Sequence, residues 1–142
     1  MMTMFLGLYD HGTGVVTYCN ASHEPPYLLP NKEDLKKKDL QILHDASGPR
    51  LGEGEDSVYV SAQAQLSKGD KIVLYTDGVT ELQNKSGDMW GERALIKCLI
   101  TCHNEKKDLV ATMGEIAGQI STFRAKHPLQ DDVTYFMLER SA

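Results

Sequence analysis

Three aspartates in this chain are placed where they could do chemistry together. Thr76-Asp77-Gly78 sets a carboxylate at the end of a short apolar run, Ile72-Val73-Leu74-Tyr75, and Gln130-Asp131-Asp132 sets two more at the start of another, Val133 to Glu139. An Asp at the tip of a buried strand is held rigidly and aimed outward, which suits a metal ligand or a catalytic base. It equally suits a turn, because Asp bonds nearby backbone N–H groups and Gly78 accepts the conformations a turn needs. If the two strands are antiparallel neighbours, Asp77 at the exit of one and Asp131 at the entry of the other lie at the same end of a sheet. Carboxylates so close repel unless a cation or a shared proton relieves them. Hard oxygen ligands without His or Cys beside them favour Mg²⁺ or Mn²⁺ over zinc. Such ions commonly work in pairs about 3.5–4 Å apart, activating a water for attack on phosphorus.

Other reactive side chains are weaker candidates. Cys98 and Cys102 lie four apart on an expected helix with His103 beside them. Two ligands at one helical spacing make half a metal site, so the thiols read as buried small residues. His23 sits in the polar corner from Asn20 to Pro26, where it can brace the chain by hydrogen bonds or donate a proton. The basic run Lys36-Lys37-Lys38 is offset by Glu33, Asp34 and Asp39, which makes it a solvated loop.

The elements that must position the aspartates follow from periodicity. Thr3 to Tyr9 and Val15 to Cys19 read as a hairpin around the turn cluster from Asp10 to Gly14. Tyr27-Leu28-Leu29 is a short strand stopped by Pro30, and Leu40 to Leu43 another, followed by a Gly- and Pro-rich turn from Ser47 to Gly52. Ser57 to Leu66 alternates Val58, Val60, Ala62, Ala64 and Leu66 against polar neighbours, the clearest half-buried strand. It is expected to hairpin through Lys68-Gly69-Asp70 into the central strand, Ile72 to Tyr75. Glu92 to His103 and Asp108 to Lys126 have helical spacing, the second with a seam of Leu109, Met113, Ile116, Ile120 and Phe123 ended by His127-Pro128. Val133 to Glu139 is the last strand. Strands grouped apart from helices indicate an α+β domain with mainly antiparallel sheets, the last strand returning beside the central one.

Composition narrows the function. The 142 residues fit one domain, with 25% charged and 41% hydrophobic residues. A net charge of −5 argues against a nucleic-acid surface. No apolar run approaches membrane-spanning length, and no signal peptide opens the chain. The three cysteines then read as reduced thiols in a cytoplasmic protein.

Several stretches together carry a family resemblance. YTDGVTE (Tyr75 to Glu81), QDDVTYFML (Gln130 to Leu138) and YCNASHEPPYLL (Tyr18 to Leu29) resemble signature stretches of the PPM metal-dependent serine/threonine phosphatases, in the bacterial SpoIIE/RsbU-type branch. GPRLG (Gly48 to Gly52), KGDKIVLYTDG (Lys68 to Gly78) and GDMWGERAL (Gly87 to Leu95) fall in that branch's order and spacing, so the resemblance covers nearly the whole chain. It implies an αββα sandwich, two Mn²⁺ or Mg²⁺ ions in the complete domain, and hydrolysis of phosphoserine or phosphothreonine by a metal-bound water. Asp77, with Gly78 beside it, matches the family's second metal aspartate. Asp131 matches the third, with Asp132 as its stand-in. The implied substrates are phosphorylated regulatory proteins such as anti-anti-sigma (STAS-domain) factors.

Two departures bear on activity. The family's first metal motif, an Asp-Gly pair before a Gly-rich turn, is expected upstream of the strand in which this chain starts, so the N-terminal part of the domain reads as missing. Asp10-His11-Gly12 mimics it but occupies a hairpin turn. Ser22 stands where the family usually has Gly. The chain alone is therefore expected to be weakly active or inactive, and to self-associate through an uncovered sheet edge at Thr3 to Tyr9. The rival expectation is a non-catalytic, degenerate phosphatase module that binds a phosphoprotein or a partner domain.

Overall fold

A computed structural model describes residues 1–141. The chain runs β1 (Met4–Asp10), β2 (Val15–Ala21), β3 (Tyr27–Leu29), a 3-10 turn (Lys37–Asp39), β4 (Gln41–Ile42), β5 (Ser47–Gly48), β6 (Ala62–Gln65), β7 (Lys71–Tyr75), α1 (Asp77–Thr80), α2 (Gly91–Asn104), α3 (Leu109–Arg124) and β8 (Tyr135–Glu139). The strands form two sheets. One has β2 between β1 on one side and β5 with β6 on the other; the second has the order β4-β3-β7-β8. All pairings are antiparallel except the short parallel contact of β5 with β2.

Three layers result. Val16, Tyr18, Leu28, Leu66 and Ile72 are buried between the sheets, joined by Ala62 and Ala64. The opposite face of the second sheet presents Tyr27, Leu29, Val73, Tyr75 and Met137 to the helices, which answer with Leu95, Leu99, Cys102, Ile116 and Ile120. Strand alternation therefore sends Leu28 and Ile72 to one core and Leu29 and Val73 to the other, which is why these short strands read as continuous apolar runs. Each fully buried aliphatic side chain contributes about 1.5–3 kcal/mol relative to exposure. These layers are ββα of the expected αββα sandwich. Among the described residues no helix lies on the outer face of the first sheet, where Leu6 and Leu8 stay 61% and 74% exposed.

The expected hairpin is present, with Asp10 opposite Val15. Asp10 Oδ1 accepts from the N–H groups of Thr13 and Gly12 at 3.2 and 2.8 Å, which holds its carboxyl below the ordinary value. Asp10-His11-Gly12 is spent on this turn.

Four expectations need correction. The strand expected over Ser57–Leu66 is confined to Ala62–Gln65. Its ladder on β2 stops at Tyr18–Ala62, because β5 occupies the same edge of β2 from Asn20 onward, so Val58 and Val60 remain exposed. Ser47-Gly48, expected as turn, is that intruding strand. Nor do β6 and β7 form a hairpin: they belong to different sheets. Buried Asp70 accepts from Ser67 N–H and Asn31 N–H, both at 2.7 Å, and Gly69 takes a φ of +83°, so the turn carries the chain across the sandwich. The last helix ends at Arg124, before His127-Pro128, where Ala125 enters left-handed φ at 53°.

Candidate metal centre

The site is built on the longest ladder of the second sheet among the described residues. β7 and β8 pair over their whole length, from Lys71–Glu139 to Tyr75–Tyr135, so the exit of β7 and the entry of β8 lie side by side. The juncture is tied by Thr76. Its N–H donates to Thr134 C=O at 2.9 Å, its Oγ1 accepts from Thr134 N–H at 3.1 Å, and the same hydroxyl donates to Asp132 C=O at 3.1 Å. One side chain thus fixes the approach of the acidic segment to the end of β7.

Gly78 sets how close that approach is. A Cβ there would lie 2.3 Å from the carbonyl oxygen of Asp132 and 3.6 Å from Cβ of Asp131, so only glycine lets the two backbones meet. Asp77 opens α1, a single turn closed by Glu81 N–H donating to Asp77 C=O at 2.7 Å. Val79, fully buried in the helical core, anchors this turn. Asp77 is therefore the first residue of a helical turn, the turn that the sequence allowed there beside a metal-ligand role.

All four expected site residues fall in this juncture. The Asp77-Gly78 unit lies against Asp131-Asp132, and Asp77, Asp131 and Asp132 are exposed while Gly78 is buried. Asp77 Oδ1 accepts from Gly78 N–H at 2.9 Å, and Asp131 Oδ1 from Asp132 N–H at 2.7 Å. Each bond uses one oxygen of its carboxylate. Beside the juncture is a cleft of about 90 Å³ lined by Gly78, Glu81, Leu82, Gln83, Met89, Gln130 and Asp131. Glu81 was not singled out from the sequence; its place one turn after Asp77 is the signal that could have found it. Among the described residues no group of three or more His, Cys, Asp or Glu is arranged to cage an ion. Two exposed carboxylates with unused oxygens nonetheless fit a hard, largely hydrated Mg²⁺ or Mn²⁺, which is commonly held by one or two carboxylates plus water.

Behind the centre lies a tyrosine pair. The rings of Tyr27 and Tyr75 stack at 5.4 Å with an interplanar angle of 4°. Tyr75 donates to Tyr27 Oη at 3.2 Å, and Tyr27 donates to Glu92 in the first turn of α2. Burial pushes the Tyr75 hydroxyl up to about 12 and raises that of Tyr27 too. These phenols are structural donors that tie α2 to β7, the strand that leads into Asp77.

The other candidates are elsewhere or differently employed. Cys98 and Cys102 are buried in the helical core, where burial pushes the Cys98 thiol up to about 12. His103 is half-buried, its Nε2 at 2.8 Å from Lys32 C=O and its Nδ1 buried without a partner among the described residues. At the polar corner it is Asn20 that braces the chain: buried, it accepts from His23 N–H at 2.8 Å and donates to His23 C=O at 2.9 Å. His23 Nδ1 meets Glu24 C=O at 3.0 Å. Ser22 has a φ of 54°, the left-handed region, which explains why glycine suits that position.

This architecture is that of part of a PP2C-type phosphatase domain. The SiaA-PP2C domain of Pseudomonas aeruginosa superposes with a TM-score of 0.76 at 18% identity, over 96% of this chain and 51% of that one. The phosphatase domain of SpoIIE from Bacillus subtilis, in a manganese-presoaked form, superposes with a TM-score of 0.66 at 11% identity, over 98% of this chain and 56% of that one. The chain itself belongs to the SpoIIE family: residues 1–141 match the family described as Stage II sporulation protein E. It is 32% identical to the phosphoserine phosphatase RsbU of Bacillus subtilis over 141 residues and 26% identical to protein IcfG of Synechocystis over 144 residues. Each alignment takes in 98% of this chain, which spans 39% of RsbU and 20% of IcfG.

Proposed function

We propose that this chain carries two of the metal-binding carboxylates of a serine/threonine protein phosphatase of the SpoIIE type. Its parent protein hydrolyses phosphoserine or phosphothreonine on a cytoplasmic regulatory protein such as a STAS-type factor. The observation that carries the reading is the juncture in which Thr76 and Gly78 hold Asp77 and Asp131 at one end of the sheet. Asp131 is the ligand rather than Asp132, because Asp131 lines the cleft while the Asp132 backbone is packed on Gly78 and bonded to Thr76. The relatives' names support the chemistry: RsbU is a phosphoserine phosphatase, and the SpoIIE domain was presoaked in manganese.

Asp77 and Asp131 would hold the ions, with Gly78 keeping the two segments in contact. A divalent ion bound there supplies Lewis acidity toward a phosphoryl oxygen and acidifies water. The protein's contribution is geometric: the β7–β8 ladder fixes the spacing of the two carboxylates, and anchored Val79 keeps the turn bearing Asp77 from drifting. With two of the family's metal aspartates matched, the isolated chain is weakly active or inactive. Phosphate release from a phosphorylated STAS protein by the parent protein tests the reading. It should require Mn²⁺ or Mg²⁺ and fall by orders of magnitude in Asp77→Asn and Asp131→Asn. Binding of the phosphoprotein with no turnover in the unmodified parent would instead establish the non-catalytic module.

A further inference from the structure

We infer that the outer face of α2 docks an acidic amphipathic helix of a partner protein, in a groove of about 220 Å³ lined by Lys37, Arg93, Ile96, Lys97, Ile100 and Thr101. Arg93 and Lys97 are exposed one turn apart on α2, and Ile96 and Ile100 are one turn apart beside them. Ile96 is buried and Ile100 half-buried against the helical core, so the floor is apolar and the rim cationic. Lys37, on the 3-10 turn, supplies the third cation. Its loop is pinned to α2: Leu35 is buried in the helical core, and the Asn104 side chain bonds both its N–H, at 2.9 Å, and its C=O, at 3.1 Å.

Charge complementarity names the occupant. In a chain of net charge −5 these three cations stand together, and among the described residues none of them is in an ion pair. The acids near Lys37 in sequence are engaged elsewhere. Asp39 accepts from Lys32 Nζ at 2.7 Å and from Lys36 N–H at 2.9 Å, while Glu33 and Asp34 line a separate cleft with Lys71 and His103. Like charges four apart on a helix cost stability, a cost that an anionic partner removes. The rest of the sandwich is not that partner: the layer that completes αββα belongs on the outer face of the first sheet, on the opposite side of the molecule from α2. Spacing sets the partner's form. Arg93 and Lys97 lie about 6 Å apart along the helix axis. A helix laid along α2, with carboxylates four residues apart and aliphatic side chains beside them, meets both rows at once. This inference does not depend on the metal site or on catalysis.

Fluorescence anisotropy with a labelled probe tests it, the probe being a Leu- and Ala-based helical peptide of about 15 residues with Glu four apart along one face. The 142-residue chain and its full-length parent should both bind it, about tenfold or more tighter than the same peptide with Gln for Glu, and less tightly as salt is added. Arg93→Glu/Lys97→Glu, at two exposed positions, should weaken binding about tenfold or more while the circular dichroism spectrum is unchanged. The same variant should bind a peptide with Lys for Glu better than the unaltered protein does. Binding by the chain but not by the parent would show that another part of the parent covers the groove, and would overturn the inference. So would no binding, equal affinity for the Glu and Gln peptides, or indifference to the charge reversal.

Discussion

Gly78 is the residue on which the site turns, for a steric reason that can be tested alone. A Cβ at this position meets a backbone carbonyl of Asp132, which cannot swing away as a side chain could. Gly78→Ala should destabilise the fold by about 1–3 kcal/mol, the usual range for overpacking, read as a lowered denaturant midpoint. It should also loosen the 131–132 segment in hydrogen exchange. Asn20 makes a second test, away from the metal centre. Its buried amide satisfies both backbone groups of His23, so Asn20→Ala leaves buried polar groups unpaired and should cost about 1–3 kcal/mol. That Asp77 and Gly78 lie beside Asp131 was legible in the sequence because the two apolar strands before and after them were read as antiparallel neighbours, which β7 and β8 are. Glu81 was not, because a four-residue helix that follows β7 after a single residue gives no periodicity from which to read it.

At the scale of elements, the helical seam of α3 and the short apolar strands β3 and β7 were read correctly, and the long alternating stretch from Ser57 to Leu66 was not. The seam of α3 places Ile116 and Ile120 in the core as its spacing requires. The alternating stretch before β7 was misleading, since alternation reports which face could be buried and says nothing of whether a partner strand is present. Here β5 takes the partner's edge, a competition visible only in three dimensions. The α2 layer also sets a pH dependence. Burial raises Cys98 from 9.0 and Tyr75 from 10.0, each to about 12, so the folded state holds these protons more tightly than the unfolded chain. The stability they contribute is therefore complete below pH 9 and is lost as pH climbs through 12. Urea midpoints measured across this alkaline range should fall steadily. At neutral pH a thiol reagent should modify half-exposed Cys19 and leave buried Cys98 and Cys102 untouched until the chain unfolds.

For the whole molecule, the mixed α+β class and the return of β8 beside β7 followed from element order, but the division into two sheets did not. The Lys68-Gly69-Asp70 turn has the composition of a tight hairpin. What converts it to a crossing between sheets is the Asp70 carboxylate bonding Asn31, a residue 39 positions away that no local reading connects to it. That crossing puts β7 at the centre of the second sheet, flanked by β3 and β8, and so delivers Asp77 to the entry of β8. The juncture of Asp77 with Asp131 is thus a product of topology more than of any single motif. The measurement that bears on it most directly is calorimetric titration of the chain with Mn²⁺. Two carboxylates and no cage predict weak binding, of roughly millimolar affinity, abolished by Asp77→Asn and by Asp131→Asn and retained in Asp132→Asn. Tight micromolar binding, or binding that survives the loss of Asp77 and Asp131, would contradict the account.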